Sequence, residues 1–132
     1  MKTKNLLYTS LIILVILVLF FFMPLGFQRN MFVVLAVLGV IFLAFGVWLL
    51  IRTRKMKKGK LKNYLIITGC AMIAPLVFAI LHNLFYGLGI MLENILWLKY
   101  IVEVLSAGFF IIALIVAPIT FLVFAIFSLK KL

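Results

Sequence analysis

Four long apolar runs, separated by short polar stretches, set the layout of the chain. Residues 6–23 (LLYTSLIILVILVLFFFM), 31–51 (MFVVLAVLGVIFLAFGVWLLI) and 104–129 (VLSAGFFIIALIVAPITFLVFAIFSL) carry no charge. Residues 64–87 (YLIITGCAMIAPLVFAILHNLFYG) contain no Lys, Arg, Asp or Glu and a single histidine, His82. Each run matches the roughly 18–20 apolar residues that carry a helix across a hydrocarbon core of about 30 Å. The alternation and frequent turns of β-barrel strands are missing. In hydrocarbon the backbone must satisfy its own N–H and C=O groups, so uninterrupted runs of this length become helices. The pattern predicts an all-α, integral membrane four-helix bundle of up-down topology with short loops, one domain over 1–132.

The first run follows the basic start Met1-Lys2-Thr3-Lys4 and so has the outline of a signal peptide. It is longer than the usual 7–15-residue signal core and ends in Met23-Pro24-Leu25-Gly26, without a small-residue cleavage site. A retained anchor is expected.

Lipid tails are as apolar as leucine, so small residues and polar contacts decide how such helices pack. The second span places Phe32, Ala36, Gly39, Leu43, Gly46 and Leu50 on one face. The third repeats the rhythm with Thr68, Ala71, Pro75, Ala79, His82 and Tyr86, and the fourth with Ser106, Ala113, Ala117, Thr120 and Ser128. The first has almost nothing small after Ser10, which predicts a peripheral helix broadly exposed to lipid. Pro75 and Pro118 lie inside spans three and four, where each removes a backbone hydrogen bond and favours a bend.

Two connectors are short: a tight turn at 24–30 and a basic loop at 52–62 (RTRKMKKGKLK). The third, 88–103 (LGIMLENILWLKYIVE), can itself be helical. Gly87 and Gly89 favour a break after the third span. Beyond them, an apolar side and a polar side with Glu93, Lys99 and Glu103 predict an interfacial helix or an upward extension of the fourth span.

Charge adds orientation. There are 13 Lys and Arg against 2 Asp and Glu. Eleven basic residues fall on the side shared by the two termini and the 52–62 loop; only Arg29 and Lys99 fall on the other. The positive-inside rule then places both termini in the cytoplasm, with the plasma membrane the expected location. Arg52, Arg54, Lys55, Lys57, Lys58, Lys60 and Lys62 are the expected contacts to anionic head groups of the inner leaflet. Because the charges punctuate apolar runs, lipid rather than nucleic acid is the expected partner.

The uncommon polar groups gather towards the opposite side. His82, Asn83 and Tyr86, with Glu93 and Glu103, form the candidate outer polar patch; an ionisable side chain in a span is a functional candidate because lipid exposure is costly. The chemical inventory is thin. One histidine cannot give bis-histidine haem ligation, and one cysteine, Cys70, cannot form an internal disulfide or a Cys-rich zinc site. Asp is absent altogether, as is any Gly-rich phosphate loop. No metal, cofactor or catalytic residue is expected. The expected role is a non-enzymatic accessory or interaction protein, working with a membrane protein partner or as a homo-oligomer. A small oligomeric transport or pore-forming protein is one alternative. A membrane enzyme or lipid-binding protein using the outer His/Glu patch is the other.

Overall fold

The computed structural model describes residues 1–132, and every regular element in it is helical. The first span is α1 (Thr3–Phe21), followed by the short α2 (Leu25–Asn30) and the second span α3 (Phe32–Arg54). The third span is α4 (Lys60–Met91). The fourth is one rod in three parts: α5 (Leu96–Ile111), a π-helical turn (Ile112–Val116) and α6 (Ala117–Lys131). Four helices are therefore long and apolar enough to cross a membrane, and they pack against one another as two antiparallel hairpins.

The hairpins differ in height. At 1.5 Å per residue, the 19 residues of α1 and 23 of α3 span about 28 and 34 Å, near the bilayer thickness. The 32 residues of α4 span about 48 Å, and the 36-residue fourth rod about 54 Å. The expected break at Gly87 and Gly89 does not occur; α4 runs on to Met91 and the chain turns at 92–95. A glycine costs a helix about 1 kcal/mol. Unpaired backbone groups in an apolar setting cost several. Gly89 is also buried where α5 comes close: a Cβ there would meet Glu103 Cγ at 3.5 Å. Residues 96–103 extend the fourth span upward, the second of the two expected arrangements.

Packing is uneven along the bundle axis. At the end bearing both termini and the basic loop, the helices close on a dry core that includes Leu6, Leu7, Leu49, Leu65, Phe121 and Ala125. Small residues permit this. A Cβ on Gly46 would lie 2.8 Å from Met72 Cβ, and one on Gly69 would lie 2.8 Å from the Leu50 side chain, so α3 and α4 meet backbone to backbone. Hydroxyls inside the core bond back to their own helices: Ser10 to Leu6 O, Thr68 to Tyr64 O, Ser128 to Phe124 O. No buried polar side-chain atom lacks a partner. The expectation of a peripheral first helix holds for one half only. Leu6, Leu7, Ser10, Ile13 and Leu14 are buried, whereas most of the helix beyond is exposed.

At the opposite end of α1, the turn is itself a helix, α2. The Gln28 side-chain amide lies 2.8–3.2 Å from the carbonyl oxygens of Phe20, Phe21 and Met23 and donates to this cluster. Carbonyls at a helix terminus are left short of intrahelical partners; here Phe20 O also accepts from the Met23 N–H. Gln28→Ala is expected to destabilise the hairpin by about 1 kcal/mol, seen as faster amide hydrogen exchange over residues 22–28. Unchanged exchange there would exclude the capping role.

The π turn has a local cause. Pro118 offers no N–H and its ring crowds the carbonyl of the preceding turn. The Ala117 N–H reaches back to Ile112 O, five residues away, which widens the coil just ahead of the ring. Isolated π turns of this kind are frequent at functional sites.

Candidate functional site

The polar groups predicted to form a patch are placed separately. His82 lies in the seam between α4 and α5. Its Nδ1 is 2.9 Å from both the carbonyl oxygen and the hydroxyl of Ser106, and that hydroxyl donates to the His82 carbonyl at 3.1 Å. A carbonyl oxygen can only accept, so Nδ1 carries a proton and donates to it. The Ser106 hydroxyl has spent its own proton on the His82 carbonyl and accepts from the ring. In the neutral imidazole this leaves Nε2 as the free acceptor. The ring also stacks obliquely near Phe110, centroids 5.1 Å apart, and near Tyr86 at 6.3 Å.

Asn83 donates to Ala79 O of its own helix and is exposed. Glu103 is level with Gly89, seven residues or about 10 Å along α4 from His82. Its carboxylate faces Lys99 at 3.9 Å, one helical turn away and partly exposed. A pair in that setting contributes little stability. Glu93 is exposed in the turn after α4. No three His, Cys, Asp or Glu side chains are grouped to hold a metal ion. The structure thus brings His82 to Ser106 and near Tyr86, and Lys99 to Glu103, and does not gather His82 with both glutamates.

Interhelical hydrogen bonds between membrane helices average about 0.6 kcal/mol, with a maximum near 1.7. Ser106→Ala is accordingly expected to cost no more than about 1 kcal/mol, because the Ser106 carbonyl still accepts from Nδ1. Detergent unfolding of the variant checks this. A loss several times larger would mean that the hydroxyl, rather than the carbonyl, fastens the seam.

Among the basic residues of the 52–62 loop, two are engaged by the protein. Arg52 donates from Nη1 to Met1 O at 2.9 Å and lies over the Trp48 ring at 4.9 Å. Lys62 donates to Met56 O at 3.1 Å. Arg54, Lys55, Lys57, Lys58 and Lys60 are exposed.

A further feature is one that the polar residues do not mark. In the half of the bundle away from the termini, the hairpins part and leave an apolar cleft of about 730 Å³. Leu14, Leu17, Val18, Phe21 and Phe22 of the first span form one wall, and Ala36, Gly39, Val40 and Leu43 of α3 the next. Met72, Pro75 and Leu76 of α4 and Phe110, Ile111, Ala113, Leu114, Ile115 and Pro118 around the π turn complete it. No charged side chain lines it. The small-residue face of α3 is therefore split: Gly46 and Leu50 pack on α4, while Ala36 and Gly39 look into the cleft.

Fold and cleft together define a multi-pass membrane protein made of two unequal hairpins joined at one end and parted at the other. No protein-family model, curated protein or solved structure matches the chain.

Proposed function

We propose that this chain is a non-enzymatic accessory protein of the plasma membrane that binds another membrane component in the cleft between its hairpins. On this reading both termini and the 52–62 loop are cytoplasmic, and the cleft opens in the outer half of the bilayer. Orientation rests on the eleven-to-two distribution of basic residues. The binding role rests on one observation, the contrast between a closed inner half and an open, apolar outer half. A cleft of this volume falls within the roughly 300–1,000 Å³ typical of ligand sites. At the inner face, the five loop Lys and Arg that the protein leaves unengaged rest on anionic head groups, each contributing about 1 kcal/mol.

Native mass spectrometry of protein extracted from its own membrane in mild detergent tests this reading. A bound component that is lost when Gly39→Phe fills the cleft supports it; wild-type protein emerging as a bare monomer counts against it. A small oligomeric transport protein is the second reading. Pro75 and the Pro118 π turn, the two helix irregularities able to act as hinges, both line the cleft. That reading requires a homo-oligomer and solute flux in liposomes.

A further inference from the structure

We propose that the cleft holds an acyl chain of an outer-leaflet phospholipid, with the lipid phosphate at Arg29. This rests on the cleft being a binding surface and on the orientation given above.

The lining chemistry selects an alkyl chain. An apolar cavity without hydrogen-bonding groups stays dry, and left empty it would forfeit the dispersion contacts of its walls. Size then favours a slender chain over a whole helix. A helix about 10 Å across and one leaflet deep occupies about 1,200 Å³, more than the cleft's 730 Å³. Depth fits one leaflet: Leu14 to Phe22 is eight residues, about 12 Å along α1, against a half-thickness of about 15 Å.

Charge supplies the other end of the ligand. Arg29 is exposed, in the turn that closes the α1–α3 hairpin just beyond Phe21 and Phe22. The outer side has one other basic residue, Lys99, which already faces Glu103, whereas Arg29 is in no ion pair. A guanidinium in the connecting turn that follows the cleft wall at Phe21 and Phe22 complements a phosphate ester of a fatty-acyl glycerol.

The test uses the full chain in maltoside micelles, which carry no phosphate. Two probes with the same photoreactive acyl chain are compared: phosphatidylglycerol and diacylglycerol. Peptide mapping is expected to find adducts at Leu17, Val18, Val40 and Leu114 about tenfold above those at Val33 and Ile101, which lie outside the cleft. Gly39→Phe should abolish that excess, since a side chain at Gly39 meets nothing within 4 Å and enters open space. Gly108→Phe, also unobstructed but away from the cleft, should leave it intact. Arg29→Gln should lower phosphatidylglycerol labelling about fivefold, the equivalent of one basic side chain near a head group, and leave diacylglycerol labelling unchanged. Even labelling of cleft and outward faces overturns the proposal. If labelling is even while Gly39→Phe displaces a protein partner in native mass spectrometry, the cleft remains a binding surface and the lipid assignment fails. If Gly39→Phe changes neither experiment, both fail.

Discussion

Replacing Gly46 by valine is expected to destabilise the protein by about 3 kcal/mol, the upper end of ordinary overpacking, measured as the shift in its unfolding transition in detergent. The added Cβ alone would sit 2.8 Å from Met72 Cβ, 3.1 Å from Gly69 O and 3.2 Å from Ile73 Cγ1. The first of these atoms is fixed rigidly to a helix backbone and the second belongs to one, so neither can swing aside; α3 and α4 must separate. Valine adds two methyl groups beyond that point. Lipid tails solvate the parted surfaces as well as the protein did, so the lost term is close packing rather than hydrophobic transfer. Gly39→Ala, two turns along the same helix, is the matched control. Its Cβ meets nothing within 4 Å, so the change should be no more than about 1 kcal/mol and in the stabilising direction, because alanine favours helix over glycine. Equal losses at both positions would mean that the bundle is not closed at one end and open at the other.

Phe121→Ala is expected to cost about 2–3 kcal/mol. The ring is fully buried and meets Phe42 edge-on, centroids 5.1 Å apart, where the fourth span faces the second. In a bilayer the unfolded reference is already in hydrocarbon, so the familiar transfer term drops out and the cavity term remains. At ~24 cal/mol per Å³, roughly 100 Å³ of missing ring corresponds to ~2.4 kcal/mol. Phe127→Ala, on the same helix but 43% exposed, should cost far less, because lipid replaces the ring. The two variants are compared in the same detergent unfolding series. Similar costs would place Phe121 at the lipid face.

The four spans were legible because crossing hydrocarbon imposes a length and a composition on every segment that does it. Ser106, Ala113, Ala117 and Ser128 were legible as a packing face, since small residues are what neighbouring membrane helices need. Other features were hidden for physical reasons. Apolar residues look alike whether they face lipid, a neighbour or a void, so neither the burial of Leu6 and Leu7 nor the cleft could be read from hydropathy. Ala36 and Gly39 left a trace of the cleft: they continue a small-residue face past the point where α4 covers it. His82 and Ser106 each stood out, one as a polar candidate and the other as a packing residue. Their separation of 24 residues gave no sign that they pair. Pro118 marked a bend, but whether a helix answers a proline by kinking or by widening one turn depends on its neighbours. Gly87 and Gly89 misled because two helix-weakening residues do not stop a helix held by its neighbour: Gly89 is buried against Val102 and Glu103 of α5.

The unequal heights of the two hairpins bear on the membrane itself. A bilayer adjusts its thickness to the apolar belt it surrounds, at fractions of a kcal/mol per Å of mismatch. Lipid beside α1 and α3 can keep its resting thickness. Beside the second hairpin, bulky apolar side chains such as Met91, Leu96 and Trp97 remain exposed beyond the level at which α1 stops. If that belt lies in hydrocarbon, the bilayer stretches there or the taller flank tilts, and the protein acts as an elastic wedge. A body of that shape is drawn to thicker membrane and to other bodies that share the strain.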